Sequence, residues 1–400
     1  MMLEFMGEVL EEIARDELRA VVEAPVRHGS RRAPHGAARG NGAPANRCAQ
    51  VQARRSGARK SPARRELIAE GTRAPAHRDS VADARSVVPV FFTIDDSYAP
   101  YLGVALQSLI ENASRDYRYD LVIMHHPLSK EHFEKLARLE RPGFNLRFVE
   151  MDRQIEGIAN RHCNKLRQDY FTLTIFFRLF IPMMFPEYDK GIYLDSDIVV
   201  PGDVSKLYEV ELGDDLIGAC RDFSIVDVPE LVDYTNRGVG VGIENYINSG
   251  MLLMNLDALR AARLDERFLE LLTSYHFENI APDQDYLNVL CSGRITYLPE
   301  EWDAMPVTGK KPLADPHIIH YNLFAKPWCY DDIPYEEHFW RYARASEFID
   351  EIEAHKRSYS EEQKASDAEC LKELLRHGQE IAEADFNFAS VFNEGKEARL

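Results

Sequence analysis

Val87-Val-Pro-Val-Phe-Phe-Thr-Ile94 is a nearly unbroken apolar run that stops at Asp95-Asp96. A strand buried on both faces of a parallel sheet reads this way, because neither of its faces alternates with solvent. A helix is predicted next, with Tyr101, Val104, Leu106, Leu109 and Ile110 on its apolar side, and then a second strand, Tyr119-Asp-Leu-Val-Ile-Met124. Ser129 reads as the N-cap of another helix that turns Phe133, Leu136 and Leu139 inward, and Phe144-Asn-Leu-Arg-Phe-Val149 as a third strand. Strands alternating with helices predict an α/β fold with a doubly wound sheet, whose ligands sit beyond the carboxyl ends of the strands.

The pattern continues with a helix around 172–185, strands at 191–194, 216–219 and 249–255, helices at 264–275 and 285–291, and a late strand at 318–321. The charged stretch 347–400 is helix-prone, with Leu371, Leu374 and Leu375 as an apolar stripe, and is read as a peripheral packing helix.

Upstream the text is different. Residues 3–22 space Leu3, Met6, Val9, Leu10, Ile13 and Val21 as a short amphipathic helix, whereas 25–86 are mostly Ala, Arg, Gly, Pro and Ser. That composition buries too little apolar surface to offset the entropy of ordering, so disorder is expected. The stretch reads as a spacer; the alternative is a basic arm for peripheral contact with an anionic membrane. The expected organisation is an extension at 1–86, a catalytic domain at 87–335 and a helical region at 336–400.

Residues 87–400 carry 32 basic and 55 acidic side chains, a net −23, which repels polyanions and argues against a nucleic-acid partner. The six cysteines are scattered without a C-x-x-C pair, as in a reducing compartment. The most apolar segment, 174–185, is short and interrupted by Arg178 and Pro182, so no membrane span is expected. The acidic first residues lack the pattern of a signal peptide, and a cytoplasmic protein is expected, with the inner membrane face as a place of contact.

The chemistry centres on Tyr193-Leu-Asp195-Ser-Asp197-Ile-Val-Val200. In extended chain, residues i and i+2 face one side, so Asp195 and Asp197 aim two hard oxygen ligands at one point at a strand end, suited to Mg or Mn. The same stretch also fits the nucleophile loop of haloacid-dehalogenase-like phosphatases, but such a loop follows the first strand of its domain, and about a hundred residues of α/β pattern precede this one. That reading also leaves His320-Tyr-Asn-Leu-Phe-Ala-Lys326-Pro-Trp328 unexplained. Imidazole tolerates Mn, and a lysine six residues on can neutralise a diphosphate as a point charge.

Six motifs in order, Thr93-Ile-Asp95-Asp96-Ser97-Tyr98, Phe176-Phe-Arg178-Leu-Phe180, Tyr193 through Asp197, Asn248-Ser249-Gly250 through Asn255, Asp283-Gln284-Asp285-Tyr-Leu-Asn288 and His320 through Trp328, together resemble retaining glycosyltransferases of the GT-A fold. This is glycosyltransferase family eight, which includes glycogenin and bacterial lipooligosaccharide galactosyltransferases. The resemblance implies a Rossmann-like mixed sheet. It implies Mn2+ or Mg2+ on Asp195, Asp197 and His320, bridged to the diphosphate of a UDP-sugar. It gives Asp95, Asp96, Ser97 and Tyr98 to uracil and ribose, Arg178 to sugar and diphosphate, Lys326 to phosphate, Asn248, Ser249 and Gly250 to the sugar wall, and Asp283 to a sugar hydroxyl. Asp222, just past the strand at 216–219, is a candidate acceptor contact, weighed against a surface turn residue.

Two departures stand out. Ser97 replaces a frequent Asn, which implies a shorter or water-mediated ribose contact; Leu323 and Phe324 stand where many members have a Gly near the phosphates, which implies a subfamily loop. The expected activity is hexose transfer from UDP-glucose or UDP-galactose to a saccharide of a cell-surface glycan or lipopolysaccharide-type polymer. A self-glucosylating primer is the alternative within the family. The resemblance places Gln284, an amide and a poor nucleophile, beneath the anomeric carbon, so a front-face path with retention is expected rather than a double displacement.

Overall fold

The computed structural model describes residues 85–151, 173–307, 309–393 and 400; the readings made upstream of Arg85, with Cys48 and Cys163, lie outside these. The first strand, β1 (Val87–Ile94), runs into a 3-10 turn (Asp96–Tyr98), α1 (Ala99–Asn112), β2 (Arg118–His125), α2 (Lys130–Ala137) and β3 (Phe144–Glu150). A 3-10 segment (Leu173–Phe180) and α3 (Ile181–Met184) lead to β4 (Lys190–Leu194), β5 (Ile198–Val199), α4 (Val204–Tyr208) and β6 (Ile217–Arg221). Then come α5 (Pro229–Asp233), a π-helical segment (Tyr234–Val239), β7 (Ile247–Asn255), α6 (Leu256–Ala261), α7 (Leu264–Tyr275), α8 (Pro282–Leu290), β8 (Ile295–Tyr297) and β9 (Ile319–His320). Four helices close the chain: α9 (Glu336–Ala343), α10 (Ile349–Ser358), α11 (Glu361–Glu383) and α12 (Phe388–Asn393).

One mixed sheet has the order β3-β2-β1-β4-β7-β6-β8. β3, β2, β1 and β4 are parallel, β7 runs antiparallel to both of its neighbours, and β8 is parallel to β6. The apolar text at 249–255 marks a strand but carries no direction, so the reversal of β7 is something only the pairing reveals. β1 and β7 are buried along almost their whole length, as strands covered on both faces must be. The strand order turns back between β1 and β4, which opens a crevice at their carboxyl ends.

The predicted helix at 172–185 is instead a 3-10 run that becomes one α turn at Ile181, with Pro182 in its first positions, where a missing N–H costs nothing. Arg260 holds this region down: its guanidinium donates to the carbonyls of Pro182 (3.1 Å), Phe185 (3.4 Å) and Tyr188 (2.9 Å) just before β4.

The C-terminal helices are not peripheral. Phe339, Tyr342, Phe348 and Ile352 join the main core, and Asn112 at the end of α1 donates to Tyr342 Oη (2.8 Å) and to the Val200 carbonyl (3.0 Å). α11 begins with a reciprocal cap between Ser360 and Gln363, packs on 229–239, and buries Leu371, Leu375, Gly378, Ile381 and Ala382. Among the described residues no disulfide is formed, and no helix is long and apolar enough to cross a membrane.

A Cβ at Gly103 on α1 would lie 2.4 Å from the Phe348 ring, which is itself fully enclosed. Gly103→Ala is therefore expected to lower stability by about 1–3 kcal/mol through overpacking, despite the roughly 1 kcal/mol gain in helix propensity. The check is a lower urea midpoint at unchanged slope; an unaltered midpoint would mean that the ring gives way freely.

Candidate functional site

Three local features bring the sequence motifs to one place. Asp195 follows β4, and the antiparallel register that pairs Leu194 with Met251 sets Asn248, Ser249 and Gly250 beside it; Asp195 N–H donates to the Gly250 carbonyl at 2.7 Å. The β5–β9 ribbon pairs Ile198 with His320, which carries the imidazole to Asp197. Helix α8 is laced to the start of β7 by Asn288, whose amide exchanges hydrogen bonds with Ile247 N–H (2.8 Å) and its carbonyl (2.9 Å), and this presents Asp283 and Gln284 to the same crevice.

The donor atoms of Asp195, Asp197 and His320 lie within 4.8 Å of one another. Each aspartate has one oxygen held by a cation and the other turned to the imidazole. Asp195 Oδ1 accepts from Arg178 (2.9 Å) and Tyr193 Oη (2.6 Å), leaving Oδ2 3.9 Å from His320 Nε2. Asp197 Oδ2 is paired with Lys326, leaving Oδ1 3.4 Å from Nε2. Gly250 completes the cradle: a Cβ there would sit 2.2 Å from His320 Cε1 and 2.8 Å from Asp195 Oδ2, so no larger residue leaves the three groups room to converge. Two carboxylate oxygens and one imidazole nitrogen suit a hard to borderline divalent ion such as Mn2+ or Mg2+.

Behind the imidazole stands Asp303, a residue that the sequence reading missed. Its carboxylate is fully buried, with Oδ1 3.2 Å from His320 Nδ1 and Oδ2 without a hydrogen-bond partner. A proton on Nδ1 donated to Asp303 holds the ring so that Nε2 faces the aspartates, and an ion bound there would take the place of the Nε2 proton; second carboxylates orient metal-binding imidazoles in this way. Burial works to discharge His320, but Asp303 and Asp197 outweigh it and lift its pKa to about 10. Burial likewise raises Asp197, yet Lys326 and His320 hold it well below the usual carboxylate range. Carboxylates this crowded favour positive charge at the point where the three groups meet.

Arg178 is no surface side chain snorkelling from a helix. It is 3% exposed, stacks over the Tyr193 ring, and spans Asp195, Asp283 (2.9 Å) and the Ser249 carbonyl (2.6 Å). Asp283, raised by burial and by Asp195 against the pull of Arg178, also accepts from Ser249 Oγ at 3.1 Å. Asp222 is buried rather than a surface turn residue: its Oδ2 accepts from Asn248 and Gln284, both at 3.1 Å. Gln284 is fixed at both ends, since its Oε1 accepts from Ser249 N–H at 3.0 Å. Asp285 faces away into a clamp of Tyr234 and Tyr246, each donating at 2.6 Å, and burial pushes its pKa up to about 7.

At the β1 end, Asp95 caps the 3-10 turn, accepting from Ser97 N–H (3.0 Å), Ser97 Oγ (2.5 Å) and Tyr98 N–H (3.3 Å), and it lines the cavity with Tyr98. Asp96 is turned outward and engages Ser129 N–H (2.7 Å) and His132 Nδ1 (2.8 Å). Leu323 adopts φ 48°, the left-handed conformation that glycine takes without cost, so the loop keeps that backbone shape although a side chain stands there. The cavity lined by Asp95, Arg178, the triad, Gln284 and Lys326 is about 820 Å3 and continues past Pro282 and Ile280 to a face of α11.

Comparison with known proteins agrees with this geometry. Residues 89–332 match the model of a family described as glycosyl transferase family 8. The lipopolysaccharide 1,2-glucosyltransferase of Escherichia coli K12 is 27% identical over 256 residues, covering 60% of this chain and 72% of that protein. General stress protein A of Bacillus subtilis is 23% identical over 269 residues, covering 62% and 90%. A crystal structure of the galactosyltransferase LgtC with donor and acceptor sugar analogues superposes with a TM-score of 0.55 at 25% identity, covering 65% of this chain and 96% of that one.

Asp303→Asn keeps the shape of the imidazole's partner and removes its charge. We expect Mn2+ affinity to fall about tenfold or more, as measured by the electron paramagnetic resonance of free Mn2+ during titration; equal affinity would reduce Asp303 to a packing residue.

Proposed function

Since the chain belongs to glycosyl transferase family 8, we propose that it transfers glucose or galactose from a UDP-sugar, with Mn2+ or Mg2+, to the saccharide end of a cell-surface glycan of lipopolysaccharide type. The reaction is read as cytoplasmic, at the inner face of the membrane. The observation that carries this reading is the triad of Asp195, Asp197 and His320 between two cations, Arg178 and Lys326, with Gln284 in the same cavity. The names of the E. coli glucosyltransferase and of LgtC support the hexose donor and the saccharide acceptor. A phosphatase using Asp195 as nucleophile loses its ground with the family membership, and the hold of Arg178 and Tyr193 on Asp195 Oδ1 suits a ligand better than a nucleophile.

A divalent ion on the triad would offset the charge that develops on the departing diphosphate. The chain's own groups do the rest. Lys326 presents a point charge to the phosphates, and Asp95 with Tyr98 borders the place of the nucleoside. Arg178 pulls Asp283 toward its charged form against burial and holds it still, which suits a hydrogen bond to a sugar hydroxyl. Neither neighbouring carboxylate is loose enough to attack carbon: Asp283 is bound to Arg178 and Ser249, and Asp285 to two tyrosines. Gln284 is left as the group beside the reacting carbon. Asp222 at its Nε2 polarises the amide, and the second lone pair of Oε1 is available to steady an oxocarbenium-like centre. The leaving phosphate then takes the proton of the incoming hydroxyl on the same face, and configuration is retained.

Asp195→Ala, Asp197→Ala and His320→Ala are each expected to lower Mn2+-dependent UDP-hexose turnover about a thousandfold or more, by analogy with the loss of electrostatic stabilisers elsewhere. Full turnover in any of them would remove the metal assignment.

Proton NMR of the first product should show an α anomer from an α donor. Gln284→Ala should slow transfer by about 100- to 1,000-fold without abolishing it. A β product would overturn the mechanism, and a covalent sugar on Asp283 or Asp285 would overturn the front-face path while leaving retention intact.

A further inference from the structure

Helix α11 carries two stripes. Leu371, Leu375, Gly378 and Ile381 recur at helical spacing on the buried side and pack against the segment 229–239. The adjoining stripe, Cys370, Glu373, Leu374 and His377, recurs at the same spacing and is left open to the cavity that holds Gln284. The joint between the helix and the catalytic groups is tight: a Cβ at Gly378 would lie 3.2 Å from Ile280, and Tyr234, which borders the same glycine, donates to Asp285 next to Gln284.

The chemistry of this wall differs from that around the metal-binding triad. On the triad side Lys326 and Arg178 stand among the carboxylates, and with a divalent ion bound there they would offer phosphates the positive charge they need. On the α11 side Arg376 is matched by Glu373 and Glu380, the Glu373 contacts including one of 2.8 Å from Nε, and Glu278 adds a further carboxylate to the lining. The balance is acidic and repels an anionic ligand. Leu374 and Ile280 supply apolar surface among groups that donate and accept hydrogen bonds, which is what a pyranose offers in return: a C–H face bordered by hydroxyls.

We propose that α11 forms one wall of the acceptor subsite and selects an uncharged saccharide end. The proposal rests on the donor reading given above. The triad and Lys326 occupy the side of the cavity that takes the diphosphate, so the space beyond Gln284 and Pro282 is where the incoming hydroxyl must arrive. Leu374 is the selective element, because its side chain is half-buried and faces the cavity without belonging to the core stripe.

The test uses the full chain with Mn2+ and UDP-glucose or UDP-galactose, and methyl α-glucoside, methyl α-galactoside and methyl glucuronide as probes. The wild type should transfer to a neutral glycoside and disfavour the glucuronide by tenfold or more in kcat/KM. Leu374→Trp, which fills the subsite, should raise the KM for the neutral glycoside tenfold or more while the KM for the donor moves less than twofold, and Leu374→Met should restore near-normal behaviour. Cys370→Trp, one turn away on the same stripe, gives a second reading if the first variant folds poorly. Equal rises in donor and acceptor KM, or no change in either, overturn the assignment of α11. Preference for the glucuronide, or transfer to no neutral glycoside, overturns the uncharged acceptor. A wild type that hydrolyses no UDP-hexose brings down the donor reading instead.

Discussion

Everything about this site follows from the need to hold carboxylates together. Asp195, Asp197, Asp222, Asp283 and Asp303 crowd one crevice, against the guanidinium of Arg178, the ammonium of Lys326 and one imidazole. Burying charge is costly unless each group finds a partner, and here the partners are shared rather than sufficient. Arg178 serves two aspartates at once and His320 touches three. The deficit of positive charge that remains is the electrostatic reason that the crevice suits a divalent cation. The backbone answers the same demand: the register of β4 with β7, the bare Cα of Gly250 and the short β5–β9 ribbon all serve to let these groups approach.

The sequence carried the local half of this arrangement. Apolar runs announced β1, β2, β3 and β4, and two aspartates at the end of β4 announced the chemistry, because each of those signals is written within a few residues. What it could not carry was direction and long-range contact. The run at 249–255 reads alike in either orientation, yet only the antiparallel one sets Ser249 and Gly250 beside Asp195. Asp303 lies in an acidic-aromatic stretch with nothing to mark it, and its meaning comes from an imidazole that β9 delivers. Tyr234 and Tyr246 are ordinary tyrosines until Asp285 is found between them.

Neighbouring residues of like type were also parted by geometry. Asp95 and Asp96 are indistinguishable as text, but the turn that Asp95 caps rotates Asp96 outward to His132, and His132 in turn meets Glu351 on α10 at 3.1 Å. The β1 loop is thereby tied to the C-terminal helices. An apolar stripe in α11 announced one buried face, but not that the adjoining face, with Leu374, would line the cavity.

The family match spans residues 89–332, and α11 begins at Glu361. The triad with its cations and the helical face of α11 on the far side of the cavity therefore sit in different stretches of the gene. Substitutions within some twenty codons can reshape one face of the cavity while the triad of Asp195, Asp197 and His320, its cations and Gln284 keep their places.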